Sequence, residues 1–122
     1  MLLIQETMHD NLQTISNFRG MLPTWHMVVS STAGTSGGLA VLWDPKWIRA
    51  ATFQCIASIL VLAHFHGSSN LVHILNLYAP YKEHFPFRNN LLSSELPEID
   101  SLIIGGDFNC TFCNEEIWGN GR

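Results

Sequence analysis

The sequence predicts a mixed α/β (α+β) fold in which mostly antiparallel sheets carry helices on their outer faces. Seven apolar runs bounded by turn residues have the length of buried strands, whereas only two segments combine helical spacing with capping or boundary residues. Sheets of this kind bury their apolar faces against each other and against helices. The chain has 122 residues, which is enough for one small domain with a hydrophobic core.

The first two predicted elements are a strand over residues 2–6 and a helix over residues 10–19. Asp10 is the expected N-cap of the helix, and Gln13 completes a capping-box pattern with it. The apolar stripe of the helix comprises three residues, Leu12, Ile15 and Phe18.

The middle of the chain is predicted to consist of strands joined by turns. Its apolar runs cover residues 25–31, 39–43, 47–55, 57–66 and 71–78. The glycine-rich segment 33–38 has the composition of a turn, and residues 67–70 predict a hairpin. Four aromatic residues of this region are expected in the core: Trp25, Trp43, Trp47 and Phe53.

The last two predicted elements are a helix over about residues 84–96 and a strand over residues 101–107. Pro86 suits the first turn of the helix, and Pro97 lies just beyond its predicted end. With the earlier runs, this gives seven strands and two helices.

Polar side chains stand at the ends of three apolar runs. Glu6 ends the first run, Asn76 and Tyr78 lie at the end of the sixth, and Asp107 and Asn109 end the last one. In layered α/β folds, ligands bind beyond the carboxyl ends of strands. Carboxylates there can hold Mg²⁺, and an amide or a phenol beside them can hold a phosphate. Together, these groups can support metal-assisted phosphodiester cleavage.

Each of these residues also has a structural interpretation. A glutamate at a strand end can be a solvated surface carboxylate, and a tyrosine before Ala-Pro can cap a sheet edge. Asp107 and Asn109 are good turn formers, so a turn is expected at this point. The turn does not exclude the functional interpretation, because the same two side chains can serve both.

The motifs resemble a known superfamily when they are taken in order. They are Gln-Glu-Thr at 5–7, Asn-x-Tyr-Ala-Pro at 76–80 and Gly-Asp-Phe-Asn at 106–109. This series is similar to the endonuclease/exonuclease/phosphatase superfamily, whose fold is DNase I-like. Within it, the segments 36–43 and 115–120 are similar to the endonuclease domains of plant LINE-type (non-LTR) retrotransposons.

The resemblance implies a fold, a function and a role for each site residue. The fold would be an incomplete four-layer α/β sandwich, and the function Mg²⁺-dependent cleavage of DNA. Glu6 would bind the metal, and Asp107 would contact or orient the attacking water and the phosphate. Asn109 and Tyr78 would contact the phosphate, and Asn76 would line the site as a substrate-binding residue. With so few oxygen ligands, we expect only weak binding of Mg²⁺.

The chain departs from the family at both ends. Residues 1–122 are expected to form a single partial domain that lacks the first strand and the C-terminal half, including the Ser-Asp-His motif. Little or no activity is therefore expected of this polypeptide. Two alternatives stay open: another phosphoesterase of the superfamily, such as an exonuclease or a phosphatase, and a non-catalytic remnant or small interaction or metal-binding protein. For the last, the candidate zinc ligands are Cys110 and Cys113 with His64 and His66.

Composition restricts the partners. Charged residues make up 13% of the chain, about half of the usual ~25%, and the net charge is -4. The sequence has no Lys/Arg cluster of the kind that binds nucleic acid strongly and non-specifically. Low charge favours self-association through exposed sheet edges. No signal peptide or membrane-spanning stretch is present, so an intracellular location, nuclear or cytoplasmic, is expected.

Overall fold

The structure is a computed structural model that describes most of the chain. The described residues are 1–31, 37–55, 57–79, 82 and 84–109. Cys110, Cys113 and the segment 115–120 lie outside them, as does most of the predicted turn at 33–38.

The described elements follow the predicted order. They are β1 (Leu2–Gln5), α1 (Asn11–Met21), β2 (His26–Ser30), β3 (Leu39–Trp43), β4 (Ile48–Cys55), β5 (Ser58–Phe65), β6 (Leu71–Tyr78), α2 (His84–Ser93), a 3₁₀ turn (Leu96–Glu98) and β7 (Leu102–Asp107). The second helix ends earlier than predicted because the chain tightens into the 3₁₀ turn, in which Pro97 lies.

The strands form two sheets. The first sheet has the order β1-β3-β2 and is antiparallel throughout. The second has the order β4-β5-β6-β7, in which only the β6–β7 pair is parallel. The β5–β6 pair is the predicted hairpin. The mixed, mostly antiparallel fold predicted from the sequence is confirmed.

The main core lies between the two sheets. Its buried residues come from β3 on one side and from β4, β5 and β6 on the other, and include Val41, Ile59, Val61 and Ile74. A smaller cluster lies on the other face of the first sheet, where Ala40 and Leu42 pack against α1. The described part of the molecule therefore has α1, the first sheet and the second sheet in successive layers.

Helix α1 begins as predicted, but the face that it packs on the first sheet differs from the predicted apolar stripe. The Asp10 carboxylate accepts a hydrogen bond from the Gln13 backbone N–H at 2.8 Å, which confirms the N-cap. Ile15 and Phe18 pack on the first sheet, but Leu12 is 82% exposed, so its assignment to the stripe was wrong. Thr14 is buried instead, because it lies one helical turn before Phe18.

Two of the four aromatic residues predicted in the core are on the surface. Trp43 is buried and Trp25 packs beside the smaller cluster, whereas Trp47 and Phe53 are 54% and 53% exposed. Trp47 precedes β4 at one end of the second sheet. Phe53 lies on the edge strand β4 in register with Leu60, on the outer face of the sheet. Among the described residues, no helix is long and apolar enough to cross a membrane.

Candidate functional site

Side chains from both sheets meet at the rim where β1, β6 and β7 end. Strands β6 and β7 are parallel and in register at Tyr78 and Asp107, so their carboxyl ends lie side by side. Glu6 follows β1 of the other sheet, and its Oε1 accepts a hydrogen bond from the Tyr78 hydroxyl at 3.0 Å. The structure thus brings together residues that lie about 70 and 100 positions apart in the sequence.

Asp107 and Asn109 form the expected turn. One carboxylate oxygen of Asp107 accepts a hydrogen bond from the Asn109 backbone N–H at 2.9 Å. The Asn109 side-chain amide donates to the Ala79 carbonyl at 2.7 Å, and the Ala79 N–H donates to the Asp107 carbonyl at 2.8 Å. Asn109 has a φ of 47°, a left-handed conformation that asparagine tolerates well. The turn fixes both side chains at the end of β7.

Two glycines let β7 approach its neighbours just before Asp107. Gly106 has a φ of 143°, and a Cβ there would overlap the Leu77 carbonyl of β6. A Cβ on Gly105 would come within 2.8 Å of the Leu3 side chain of β1. Paired glycines at the end of a strand are a sequence signal for such close approach.

The backbone at Glu6 is held in an uncommon conformation. Its φ is 52°, which costs a residue with a side chain on the order of 1–3 kcal/mol unless its surroundings impose it. The next two residues are tied to the start of β3, because the N–H groups of Thr7 and Met8 donate to the carbonyls of Gly38 and Gly37, both at 3.3 Å. After Glu6 the chain therefore turns away from β1, and the two residues that follow are fixed by hydrogen bonds to the segment before β3.

Asn76 lies in the interior, unlike the other four residues that the sequence predicts for the site. Its side chain is fully buried, and its Nδ2 donates to the carbonyls of Ile4 at 3.1 Å and Ala40 at 3.0 Å. Its Oδ1 accepts a hydrogen bond from the Gln5 side chain. Burial between the sheets does not favour the predicted contact with substrate, and it gives Asn76 a role in joining the sheets.

Gln5 is the residue of this region that the sequence interpretation passed over. It was treated only as part of the Gln-Glu-Thr motif, yet its side chain contacts the buried Asn76. The signal that could have found it is the pattern of the strand, since a polar residue at the end of an apolar run that packs on another sheet needs a hydrogen-bond partner there.

The electrostatics of the rim favour a protonated phenol. The pKa of Tyr78 is raised above its usual value, first because its hydroxyl donates to the Glu6 carboxylate, then by partial burial and by the charges of Glu6 and Asp107. Interaction with the Asn109 side chain lowers the pKa in part. A tyrosine with the ordinary pKa of about 10 is already protonated at neutral pH, and the raised pKa extends the range in which Tyr78 keeps its proton to higher pH.

The donor chemistry of the rim suits a hard cation. The available groups are the Glu6 and Asp107 carboxylates and the Asn109 amide, all oxygen ligands of the type that Mg²⁺ prefers. Two carboxylates leave most of the coordination sphere to water and substrate. The described residues contain no group of three or more His, Cys, Asp or Glu side chains that could hold a metal ion tightly.

A cleft lies elsewhere, at the opposite end of the second sheet. It has a volume of about 350 Å³, and its lining includes Lys46, Trp47, Arg49, His64 and His66. None of the described residues that line it is a carboxylate, the type of ligand that a hard cation prefers. His64 and His66 lie in this cleft, and the cysteines of the zinc alternative lie outside the described residues.

Comparison with known proteins supports the fold. No protein-family model matches the chain, and no curated protein matches it. Two solved structures of TDP2 from Caenorhabditis elegans, one of them a selenomethionine form, are similar to it with TM-scores of 0.51 and 14% sequence identity over 95% of this chain. The chain spans 39% and 38% of the length of those proteins. The likeness confirms a DNase I-like fold of the kind that TDP2 has.

Proposed function

We propose that the rim formed by Glu6, Tyr78, Asp107 and Asn109 binds a divalent cation and a phosphodiester of DNA, as part of a site for Mg²⁺-dependent hydrolysis. The observation that carries the proposal is the hydrogen bond of 3.0 Å between Tyr78 and Glu6, which joins the two sheets at the carboxyl ends of β6 and β7. The DNase I-like fold and the order of the three motifs support it.

Each residue has a role that follows from its chemistry. The Glu6 carboxylate would hold the cation, which when bound would offset the negative charge of the phosphate. Asp107 would accept hydrogen bonds from the attacking water and so orient it. Asn109 would contact a phosphate oxygen through its amide, and Tyr78 would do so once the cation occupies Glu6 and the single hydroxyl hydrogen turns from that carboxylate to the phosphate. Tyr78 is protonated at neutral pH because the ordinary pKa of a tyrosine, about 10, already lies well above that pH, and the contact with Glu6 raises it further.

The cation is needed because the rim is acidic. Glu6 and Asp107 both carry negative charge, and a phosphodiester brought beside them would be repelled without a counter-charge. The chain as a whole has a net charge of -4. The binding of substrate is therefore expected to depend on the binding of the cation.

The proposal extends to the lineage of the chain. The segments 36–43 and 115–120 favour an endonuclease of LINE-type retrotransposons over other members of the superfamily. Residues 37–43 of the first segment are described, and they comprise Gly37, Gly38 and the whole of strand β3. For the polypeptide of residues 1–122 taken by itself, we propose weak catalysis at most, because catalytic groups that act as a unit lose most of the rate when one is missing.

The cation site can be tested by replacing Mg²⁺ with paramagnetic Mn²⁺ and recording the broadening of backbone amide resonances. We expect broadening centred on Glu6 and on Asp107–Asn109 at high Mn²⁺ concentration. Glu6→Gln should weaken binding at least ~10-fold, because even the loss of a group in the outer shell of a metal site costs that much. Asp100→Asn is the matched control, since Asp100 is an exposed carboxylate near the start of β7.

The outcome that contradicts the proposal is broadening elsewhere, or broadening at the rim that Glu6→Gln leaves unchanged. The same proteins can be assayed for nicking of supercoiled plasmid with Mg²⁺ and with a chelator. We expect the wild type to nick no faster than Asp107→Ala. Rapid nicking that depends on Mg²⁺ and is abolished by Asp107→Ala would show that catalysis is strong instead of weak.

A further inference from the structure

A buried amide joins the two sheets directly behind the rim. Asn76 belongs to β6 of the second sheet, and each of its three side-chain hydrogen bonds goes to the first sheet. The two N–H groups reach the carbonyls of Ile4 and Ala40, and the oxygen accepts from Gln5. An asparagine side chain has two donor hydrogens and two acceptor lone pairs, so three of its four bonding positions are used.

This bridge lies beside the pair that forms the candidate site. Gln5 directly precedes Glu6, and Asn76 lies two residues before Tyr78 on the same face of β6. The Gln5–Asn76 contact and the Glu6–Tyr78 contact therefore connect the same two strand ends, one in the interior and one at the surface.

Glu6 is held from both sides by such contacts. Before it, the Gln5 side chain is tied to Asn76, and after it, the Thr7 and Met8 N–H groups are tied to the start of β3. A left-handed φ at a glutamate persists when the surrounding structure determines it. The Gln5–Asn76 contact adds to that constraint from the second sheet, beside the hydrogen bond that Tyr78 donates to Glu6.

We infer that Gln5 and Asn76 are positioning residues, which fix the end of β1 against β6 and so hold the Glu6 carboxylate beside Tyr78. The expected effect on cation binding rests on the proposed function. The expected effect on the position of Glu6 does not, because that position can be measured without metal or DNA.

Stability alone does not explain a hydrogen-bonded pair of amide side chains between the sheets. For the Gln5–Asn76 contact taken alone, replacing both partners of a hydrogen bond with apolar groups of similar shape is often nearly neutral. What directional hydrogen bonds add is a defined register between the elements they join. Here they select one position of β1 relative to β6, the one in which Glu6 meets Tyr78.

The test is Gln5→Met, which removes the contact to Asn76 but leaves the two bonds from Asn76 to the first-sheet carbonyls. Nuclear Overhauser contacts between the Tyr78 ring and the Glu6 side chain should be lost or strongly reduced. The affinity for Mn²⁺ should fall ~10-fold, as it does when outer-shell partners of metal ligands are removed. Gln54→Met is the matched control, because Gln54 is an exposed glutamine on the edge strand β4 and should change neither measurement.

Gln5→Asn is the second variant, since it keeps an amide but shortens its reach, and it decides the matter if Gln5→Met does not fold. Contacts between Glu6 and Tyr78 that persist in the folded variants, with only the unfolding midpoint lowered, would overturn the inference and leave Gln5 a merely structural residue. If the wild type binds no Mn²⁺ but Gln5→Met still loses the contacts between Glu6 and Tyr78, the positioning role is supported and the proposed function is refuted. The two ideas can therefore fail separately.

Discussion

Strand β3 of the first sheet and strand β5 of the second are both internal strands, but they are not equally buried. Each is hydrogen-bonded to a strand on both sides. All five residues of β3 are buried. In β5 the inward residues Ile59, Val61 and Ala63 are buried, but Leu60 and Leu62, on the other face, are only half-buried.

The difference comes from what covers the outer face of each sheet. Ile15 and Phe18 of α1 pack on the outer face of the first sheet beside Leu42. Among the described residues, no comparable apolar cluster covers β5 on its outer face. The comparison shows that β3 is buried on both faces because it has a partner on each, whereas β5 is fully buried only on the face that packs on the first sheet.

The largest effect that tests this comparison is expected from truncating the two strands. Leu42→Ala should lower the free energy of unfolding by about 2–5 kcal/mol, because it leaves a cavity in a fully buried cluster. Leu60→Ala should cost about 1 kcal/mol, the ordinary size for a substitution at a partly exposed position. Both can be measured by denaturant unfolding at constant m-value. Equal costs would show that β5 is covered as tightly as β3.

A smaller effect is expected from glycine substitutions in the two regions. Gly106→Ala should cost about 1–3 kcal/mol, the range for overpacking, because its Cβ would push β7 away from the Leu77 carbonyl. Gly20→Ala, in the helix that covers the first sheet, should stabilise the protein by about 0.5 kcal/mol because no atom lies within 4 Å of the added Cβ. Thermal unfolding of both variants checks the pair. A neutral Gly106→Ala would mean that the β6–β7 approach is not tight.

The sequence predicts elements well because their signals are local. The run at 39–43 is apolar at every position and becomes the doubly buried β3, and Asp10 caps α1 through a contact three residues away. Even the rim could be anticipated, because a polar residue at the carboxyl end of a buried strand has few other places to lie. The hydrogen bond between Glu6 and Tyr78 is consistent with this reasoning.

What the sequence could not predict depends on which elements cover which faces. Periodicity gives the faces of a strand but not the partner of each face, so Phe53 was assigned to the core although β4 is an edge strand. Asn76 and Tyr78 share one face, and only the position of the first sheet decides that the former is buried and the latter reaches the rim. Leu12 was misplaced for the same reason, because the rotation of α1 is set by the sheet below it.

The smallest expected effect concerns the joint between the sheets and is a dependence of stability on pH. Because the Glu6 carboxylate raises the pKa of Tyr78 in the folded protein, the folded state holds the phenolic proton more tightly than the unfolded chain, whose tyrosine pKa is about 10. The stabilisation is therefore fully present below about pH 10 and is lost as the pH rises through the folded-state pKa. It is small because the pair is partly exposed to solvent.

Denaturant unfolding of metal-free wild type and Tyr78→Phe at increasing pH measures this stabilisation, since the other titrating groups are common to both proteins. The difference in unfolding free energy should shift against the wild type above pH 10, and Glu6→Gln should flatten this shift. A difference that does not change with pH would show that the carboxylate and the phenol are not coupled across the two sheets.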